Sequence, residues 1–178
     1  DLGVLSSIGV NRIVVVRRPR VHVVITGSEL LPAGSLPEGC RIADANGPML
    51  AALVARDGGE LLITGPLGDD PALIRTALST PAEVVLVSGG SSVGQEDFIP
   101  GLLAAEGELA IHGIAMRPSS PAGMGRWQNR LVFLLPGNPV SCLCAYDFFA
   151  GRAIRALGGR SKDWPYRRVP AVLQRKLV

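Results

Sequence analysis

Residues 83–97, EVVLVSGGSSVGQED, set a short apolar run directly against a turn with almost no side-chain bulk. Residues 83–87 are mostly β-branched, which predicts a strand buried on both faces. Ser88 to Gly94 then expose backbone N–H groups, and Gln95, Glu96 and Asp97 open a helix that runs to about Glu106. A glycine-rich turn between a strand end and a helix start can hold an anion, because the backbone can approach closely and the amides point outward. Asp97 opposes an anion there unless a cation bridges the two. The alternative is a tight βα turn with serine caps and no ligand.

Of the 178 residues, 47% are apolar and 19% charged, which is globular composition with enough chain for one domain and room for a fragment of another. No apolar run approaches the roughly 18 residues of a membrane span. The net charge of +3, dispersed arginines, and a 4% aromatic content predict no nucleic-acid surface and no membrane partner. Cys40, Cys142 and Cys144 form no C-x-x-C pair, so free thiols in a reducing, cytoplasmic compartment are expected. The sequence starts at Asp1 without a methionine, signal peptide or basic presequence, and residues 169–178 read as the first strand of another module; the chain is expected to be a piece of a longer protein.

Residues 1–19 read as a linker or an edge strand, with Arg17, Arg18 and Pro19 delivering the chain to the domain. Residues 20–26 form the first strong strand, in which the lone His22 is structural. After the loop at residues 32–39, Asp44 or Asn46 caps a helix that carries Pro48 in its first turn and ends at Gly58-Gly59. A strand over 60–64 follows. Asp69 or Asp70 before Pro71 caps the next helix, with Leu73, Ile74, Ala77 and Leu78 as its stripe. A strand over 109–116 breaks at Arg117-Pro118-Ser119-Ser120-Pro121. Residues 123–127 and 131–135 pair around Gln128-Asn129. A helix over 140–157 presents Val140, Leu143, Cys144, Phe148 and Ile154 on one side.

Strands and helices alternating at this spacing predict an α/β fold with three layers, α/β/α, around a mostly parallel sheet. Ligands of such sheets sit at the carboxyl ends of the strands. Four loops leave those ends, at residues 26–29, 65–70, 88–97 and 136–141, and all are rich in Gly, Pro, Ser and acids. Glu29, Asp69, Asp70 and Asp97 supply carboxylates, six serines (88, 91, 92, 119, 120 and 141) supply hydroxyls, and Arg117 is the nearest fixed cation. This set suits a phosphorylated ligand with Mg²⁺, since hard carboxylates hold the ion while amides and arginine hold phosphates. It does not suit zinc or a Cys/His nucleophile. Neither G-x-x-x-x-G-K-[ST] nor a helix-opening G-x-G-x-x-G is present, so a nucleotide would have to be held in another way.

Ser88-Gly89-Gly90-Ser91-Ser92-Val93-Gly94 with Asp97 resembles the S-G-G-x-S-x-G-x-x-D element of molybdopterin-binding domains. Pro136-Gly137-Asn138-Pro139-Val140-Ser141 is similar to the P-G-N-P-V-S turn of the MoeA-type molybdopterin molybdenumtransferases, Thr26-Gly27-Ser28-Glu29-Leu30 to their T-G-D-E-L, and Asp44-Ala45-Asn46 to their D-x-N. The resemblance runs through about residue 160. It implies a central ligand-binding domain over residues 20–160 of a multidomain, usually homodimeric enzyme. Such enzymes insert molybdate into adenylylated molybdopterin and release AMP with the help of Mg²⁺. By resemblance, Thr26, Gly27, Ser88, Gly89, Gly90, Ser92 and Gly94 would hold the pterin substrate, together with Pro136, Gly137, Asn138 and Pro139. Arg117 and Ser141 would help accept molybdate. Asp69, Asp70, Asp97 and Glu29 would serve catalysis, with Asp69 and Asp97 on the metal. The sequence departs from the family at Ser28, in place of aspartate, and at Ser119-Ser120, where the family has Gly-Lys in R-P-G-K-P. Losing a lysine removes a full charge from an oxyanion pocket. Beside the enzyme stand a binding module of the same fold that does not turn over, and a related pyrophosphatase domain found with nicotinamide amidases.

Overall fold

The structure is a computed structural model that describes residues 1–68, 70–89, 98–172 and 174. Its sheet is built from β1 (Arg20–Thr26), β4 (Glu60–Leu67), β5 (Val84–Ser88), β6 (Glu108–His112), β7 (Gly123–Trp127) and β8 (Arg130–Leu135). β2 (Leu30–Leu31) and β3 (Ile42–Ala43) pair separately and in parallel. The six strands lie in the order β4-β1-β5-β8-β7-β6. The first four run parallel, and β7 and β6 reverse direction at one edge.

The period-2 alternation of the strands divides the core in two. Val21, Val23, Ile25, Val84, Leu86, Phe133 and Leu135 face α2 (Asn46–Asp57), α5 (Pro139–Ala145) and α6 (Gly151–Leu157). Val24, Val85, Val87, Val132 and Leu134 face α3 (Pro71–Ser79) and α4 (Phe98–Glu106). This is the expected three-layer α/β/α arrangement with a mostly parallel sheet. From β1 the chain crosses through α2 to β4 on one side, then returns through α3 to β5 on the other. The two crossovers use opposite faces, so a crevice opens at the carboxyl ends of β1 and β5.

His22 is buried and structural, as expected. Its Nδ1 lies 3.0 Å from the Ala77 carbonyl, which can only accept, so Nδ1 carries the hydrogen and Nε2 accepts from the Thr64 hydroxyl at 2.9 Å. Burial lowers its pKa, opposed by the Ala77 hydrogen bond.

Several elements differ from the sequence reading. Residues 2–7 form α1 (Leu2–Ser7), which buries nothing, and residues 11–19 carry no regular structure, so no edge strand forms there. Arg17 and Arg20 both bind Glu83, at 2.8 and 2.9 Å, and fix the entry to β1. Those hydrogen bonds, Arg17's first, hold the Glu83 carboxyl well below its ordinary pKa. β4 continues to Leu67 because it stays paired with β1 across a bulge, where the register shifts and Thr26 pairs with Leu67. β6 stops at His112, where Gly113 turns to φ +84° and the chain bonds instead to residues 120 and 122. Leu73 is 48% exposed, leaving Ile74, Ala77 and Leu78 as the buried stripe of α3. The described residues 169–172 and 174 form no strand.

The long helix after residue 138 is interrupted by a π turn, Tyr146–Ala150, that shifts its inner face. Val140 and Phe148 are exposed, and Cys142, Ala145, Tyr146, Ala150 and Ile154 are buried. The wide turn brings the consecutive Tyr146 and Asp147 both inward. Tyr146 donates to Asp57 at 3.0 Å, and Arg155 and Arg56 complete the charge pairing of that carboxylate at 2.8 and 2.9 Å. Burial alone would raise the Asp57 pKa, but the bonds from Arg56, Arg155 and Tyr146 outweigh it and lower the value. Asp147 accepts from Arg56 at 2.8 Å and from Tyr166 at 2.6 Å, which moors the chain leaving α6. Among the described residues, no helix is long and apolar enough to cross a membrane.

Candidate functional site

A cavity of about 470 Å³ opens at the carboxyl ends of β1, β5 and β8. Thr26 closes β1, and its hydroxyl donates to the Ser88 carbonyl at the end of β5, at 3.4 Å. Gly89 follows at φ +98°, so close to β1 that a β-carbon would run into the Thr26 carbonyl oxygen. Only glycine meets both demands. Gly27, at φ +143°, passes the Glu29 carboxylate so closely that a β-carbon would lie 2.6 Å from its Oε2.

After β8, Asn138 caps α5, its Oδ1 accepting from the Val140 and Ser141 amides at 3.1 and 3.3 Å. Pro139 occupies the first helical position, where a missing N–H costs nothing. The Pro136-Gly137-Asn138 turn is tied to β5 through α2. Asn46 Nδ2 donates to Ser88 Oγ and to the Gly137 carbonyl, each at 2.8 Å. Asp44 performs the cap expected of it or of Asn46, accepting the Gly47 amide at 2.9 Å. Beneath Ser88 lies Cys142, whose thiol burial pushes up to about 12.

Thr26, Glu29, Ser88, Gly89, Pro136, Gly137, Asn138, Pro139 and Ser141 all line this cavity. Gly27 flanks it. Asp70 is engaged elsewhere, capping α3 by accepting the Ala72 amide at 2.8 Å. Arg117 is exposed and does not line the cavity. Ser119 is buried, adopts φ +99° and donates to the Ser141 carbonyl at 2.6 Å. Asp69, Gly90, Ser92, Gly94 and Asp97 lie outside the described residues.

The reading of ligand-binding residues missed Asp44 and Asn46, which line the cavity and are each 7% exposed. Their D-x-N spacing was the available signal. Leu30 and Ile42, brought together by the β2–β3 pair, and Pro121 add apolar wall. No basic side chain is among the described lining residues, which offer two carboxylates, neutral hydroxyls and amides, and backbone groups. Among the described residues no three of His, Cys, Asp and Glu gather as a metal would require.

Residues 22–156 match the family described as "Probable molybdopterin binding domain". The chain is 33% identical over 171 residues to a molybdopterin molybdenumtransferase of Nostoc sp., covering 92% of this chain and 39% of that protein. To the Staphylococcus aureus molybdopterin molybdenumtransferase it is 31% identical over 169 residues, covering 92% and 40%. The crystal structure of the molybdopterin biosynthesis MoeA protein from Pyrococcus horikoshii superposes with a TM-score of 0.78 at 34% identity, over 89% of this chain and 40% of that one. The chain thus spans about 40% of the length of these relatives.

Proposed function

The chain belongs to the molybdopterin-binding domain family of molybdenum cofactor biosynthesis, and from that premise we propose that its cavity binds adenylylated molybdopterin for molybdate insertion with release of AMP. The reading is carried by one observation: residues 88–89, from the element that resembles molybdopterin-binding domains, and residues 136–141, which match the MoeA-type turn, wall one cavity and are cross-linked through Asn46. In this reading residues 20–160 are the ligand-binding domain of a cytoplasmic transferase, homodimeric as a full-length protein.

The described residues supply binding and orientation. Thr26, Ser88 and Ser141 present hydroxyls, and the Gly89 and Gly137 backbones allow close approach. Gly90, Ser92 and Gly94 would extend this cradle, and Arg117 would attract molybdate at the outer side. Glu29, Asp69 and Asp97 are the proposed catalytic acids; Asp70, which caps α3 and does not line the cavity, is set aside from that role. The described acids do not by themselves form a cation site, so a Mg²⁺ ion would depend on Asp69 and Asp97; when bound, it would neutralise phosphate charge.

A second reading, binding without turnover, is favoured by Ser120. It is exposed and uncharged where the family pattern has lysine. Both are tested by titrating this chain with adenylylated molybdopterin, then measuring AMP release with Mg²⁺, with and without molybdate, in the full-length protein. Molybdate-dependent release establishes the transferase. Binding without release establishes the second reading, and no binding removes both.

A further inference from the structure

Three of the described residues that line the cavity carry hydroxyls, and two of those hydroxyls are engaged within the fold. Thr26 donates to the Ser88 carbonyl at 3.4 Å, and Ser88 Oγ receives the Asn46 amide at 2.8 Å. The Ser141 hydroxyl has no partner among the described residues. It is not sealed in: among the described residues, Asn46 Oδ1 is the side-chain oxygen that is both enclosed and unpaired, and Ser141 is only partly buried.

The Ser141 backbone, by contrast, is held from two sides. Its N–H donates to Asn138 Oδ1 at 3.3 Å, and its carbonyl accepts from the Ser119 hydroxyl at 2.6 Å. Ser119 is 2% exposed and sits in a turn that is knit to itself. The Ile114 N–H donates to the Ser120 carbonyl at 2.8 Å, and the Ala122 N–H to the Ser119 carbonyl at 2.9 Å. Pro121 of that turn is itself a wall of the cavity. The Ser119–Ser141 bond thus joins two stretches of the wall, and among the described residues no other hydrogen bond links the turn to α5.

We propose that Ser119 is a positioning residue: through the Ser141 carbonyl it aims the Ser141 hydroxyl at an oxyanion of the bound ligand. The family pattern has Gly-Lys where this chain has Ser119-Ser120, so the lost charge and the gained tie are neighbours. A lysine ammonium acts as a point charge on a flexible stem, but a hydroxyl donates along one direction and weakens steeply when turned away. With no basic side chain among the described lining residues, the aim of this hydroxyl decides what it contributes. Phosphate and molybdate oxygens both accept such a bond. The proposal rests on the ligand reading given above.

The test is calorimetric titration of this chain with adenylylated molybdopterin and, separately, with molybdate alone. The proteins are wild type, Ser119→Ala, Ser119→Gly, Ser141→Ala and the Ser119→Ala/Ser141→Ala double variant. Ser119→Ala and Ser119→Gly are each expected to weaken binding of at least one probe by about tenfold. Ser119→Gly relieves the backbone at φ +99°, so a role in stability alone would leave its affinity at the wild-type level. In the Ser141→Ala background the further loss of Ser119 is expected to change nothing, because the two act as a unit. A loss seen with molybdate assigns the metal oxyanion, and a loss confined to adenylylated molybdopterin assigns the ligand's phosphates. Wild-type affinity in Ser119→Gly for both probes, or effects of Ser119→Ala and Ser141→Ala that multiply in the double variant, overturns the proposal and leaves the function standing. No binding of either probe by wild type sinks the function, and the proposal with it.

Discussion

The Ser119 hydroxyl donates to the Ser141 carbonyl at 2.6 Å, tying the turn after β6 to the first turn of α5. Ser119 stands where the family pattern has glycine, and it keeps a glycine-like backbone at φ +99°. The serine therefore carries backbone strain and offsets it with a bond that glycine cannot make.

Ser119→Ala keeps the strain and loses the bond, so it should destabilise the fold by roughly 1–3 kcal/mol. Ser119→Gly loses both, and should stay within about 1 kcal/mol of wild type. Urea denaturation of the three proteins checks this. An alanine variant as stable as wild type would show that the bond contributes nothing.

Gly89→Ala places a β-carbon against the Thr26 carbonyl at a φ of +98°. It should cost more than about 2 kcal/mol through strain and displaced backbone, and weaken binding of adenylylated molybdopterin at least tenfold by pushing β1 and β5 apart at the cavity. A thermal melt alongside a titration reads both effects. Unchanged affinity in a folded variant would remove Gly89 from the site.

Asp57 is 1% exposed and bonded to Arg56, Arg155 and Tyr146. Replacing one member of a buried pair leaves charge uncompensated, so Asp57→Asn should destabilise by roughly 3–5 kcal/mol. The folded pKa of Asp57 is depressed. Its contribution is thus complete above the unfolded carboxylate value of about 3.9 and is lost as pH falls through the folded value. Below about pH 4 the gap between wild type and Asp57→Asn should narrow. Denaturation midpoints from pH 7 to pH 2 would show it, and a gap that stays constant would contradict the assignment.

Cys142 is fully buried with its thiol raised to about 12, and Cys40 is exposed. At pH 8 a thiol-disulfide reagent should modify Cys40 readily and leave Cys142 intact until the protein unfolds. Mass spectrometry of native and urea-treated protein gives the answer. Rapid native labelling of Cys142 would mean that α5 opens away from β5.

The parallel core was legible because β1, β5 and β8 are short, largely apolar runs bounded by turn residues. α2 was readable from its terminal glycines and α3 from Asp70 before Pro71. The β2–β3 pair was not, because two-residue strands have no periodicity to detect. The π turn that brings Tyr146 and Asp147 inward was not legible, because Tyr146 answers Asp57, 89 residues away. The cavity loops were visible as motifs. That Asn46 holds two of them together was not, since its partners Ser88 and Gly137 are 42 and 91 residues distant. Spacing along a chain does not encode contacts of that range.

Both chain segments that leave the sheet are anchored at the pole opposite the cavity. Arg17 and Arg20 hold Glu83 at the amino ends of β1 and β5, and Tyr166 binds Asp147 and Arg56 where α2 ends. Neither anchor touches Thr26, Ser88 or Gly137, so loosening either segment breaks no hydrogen bond at the rim of the cavity.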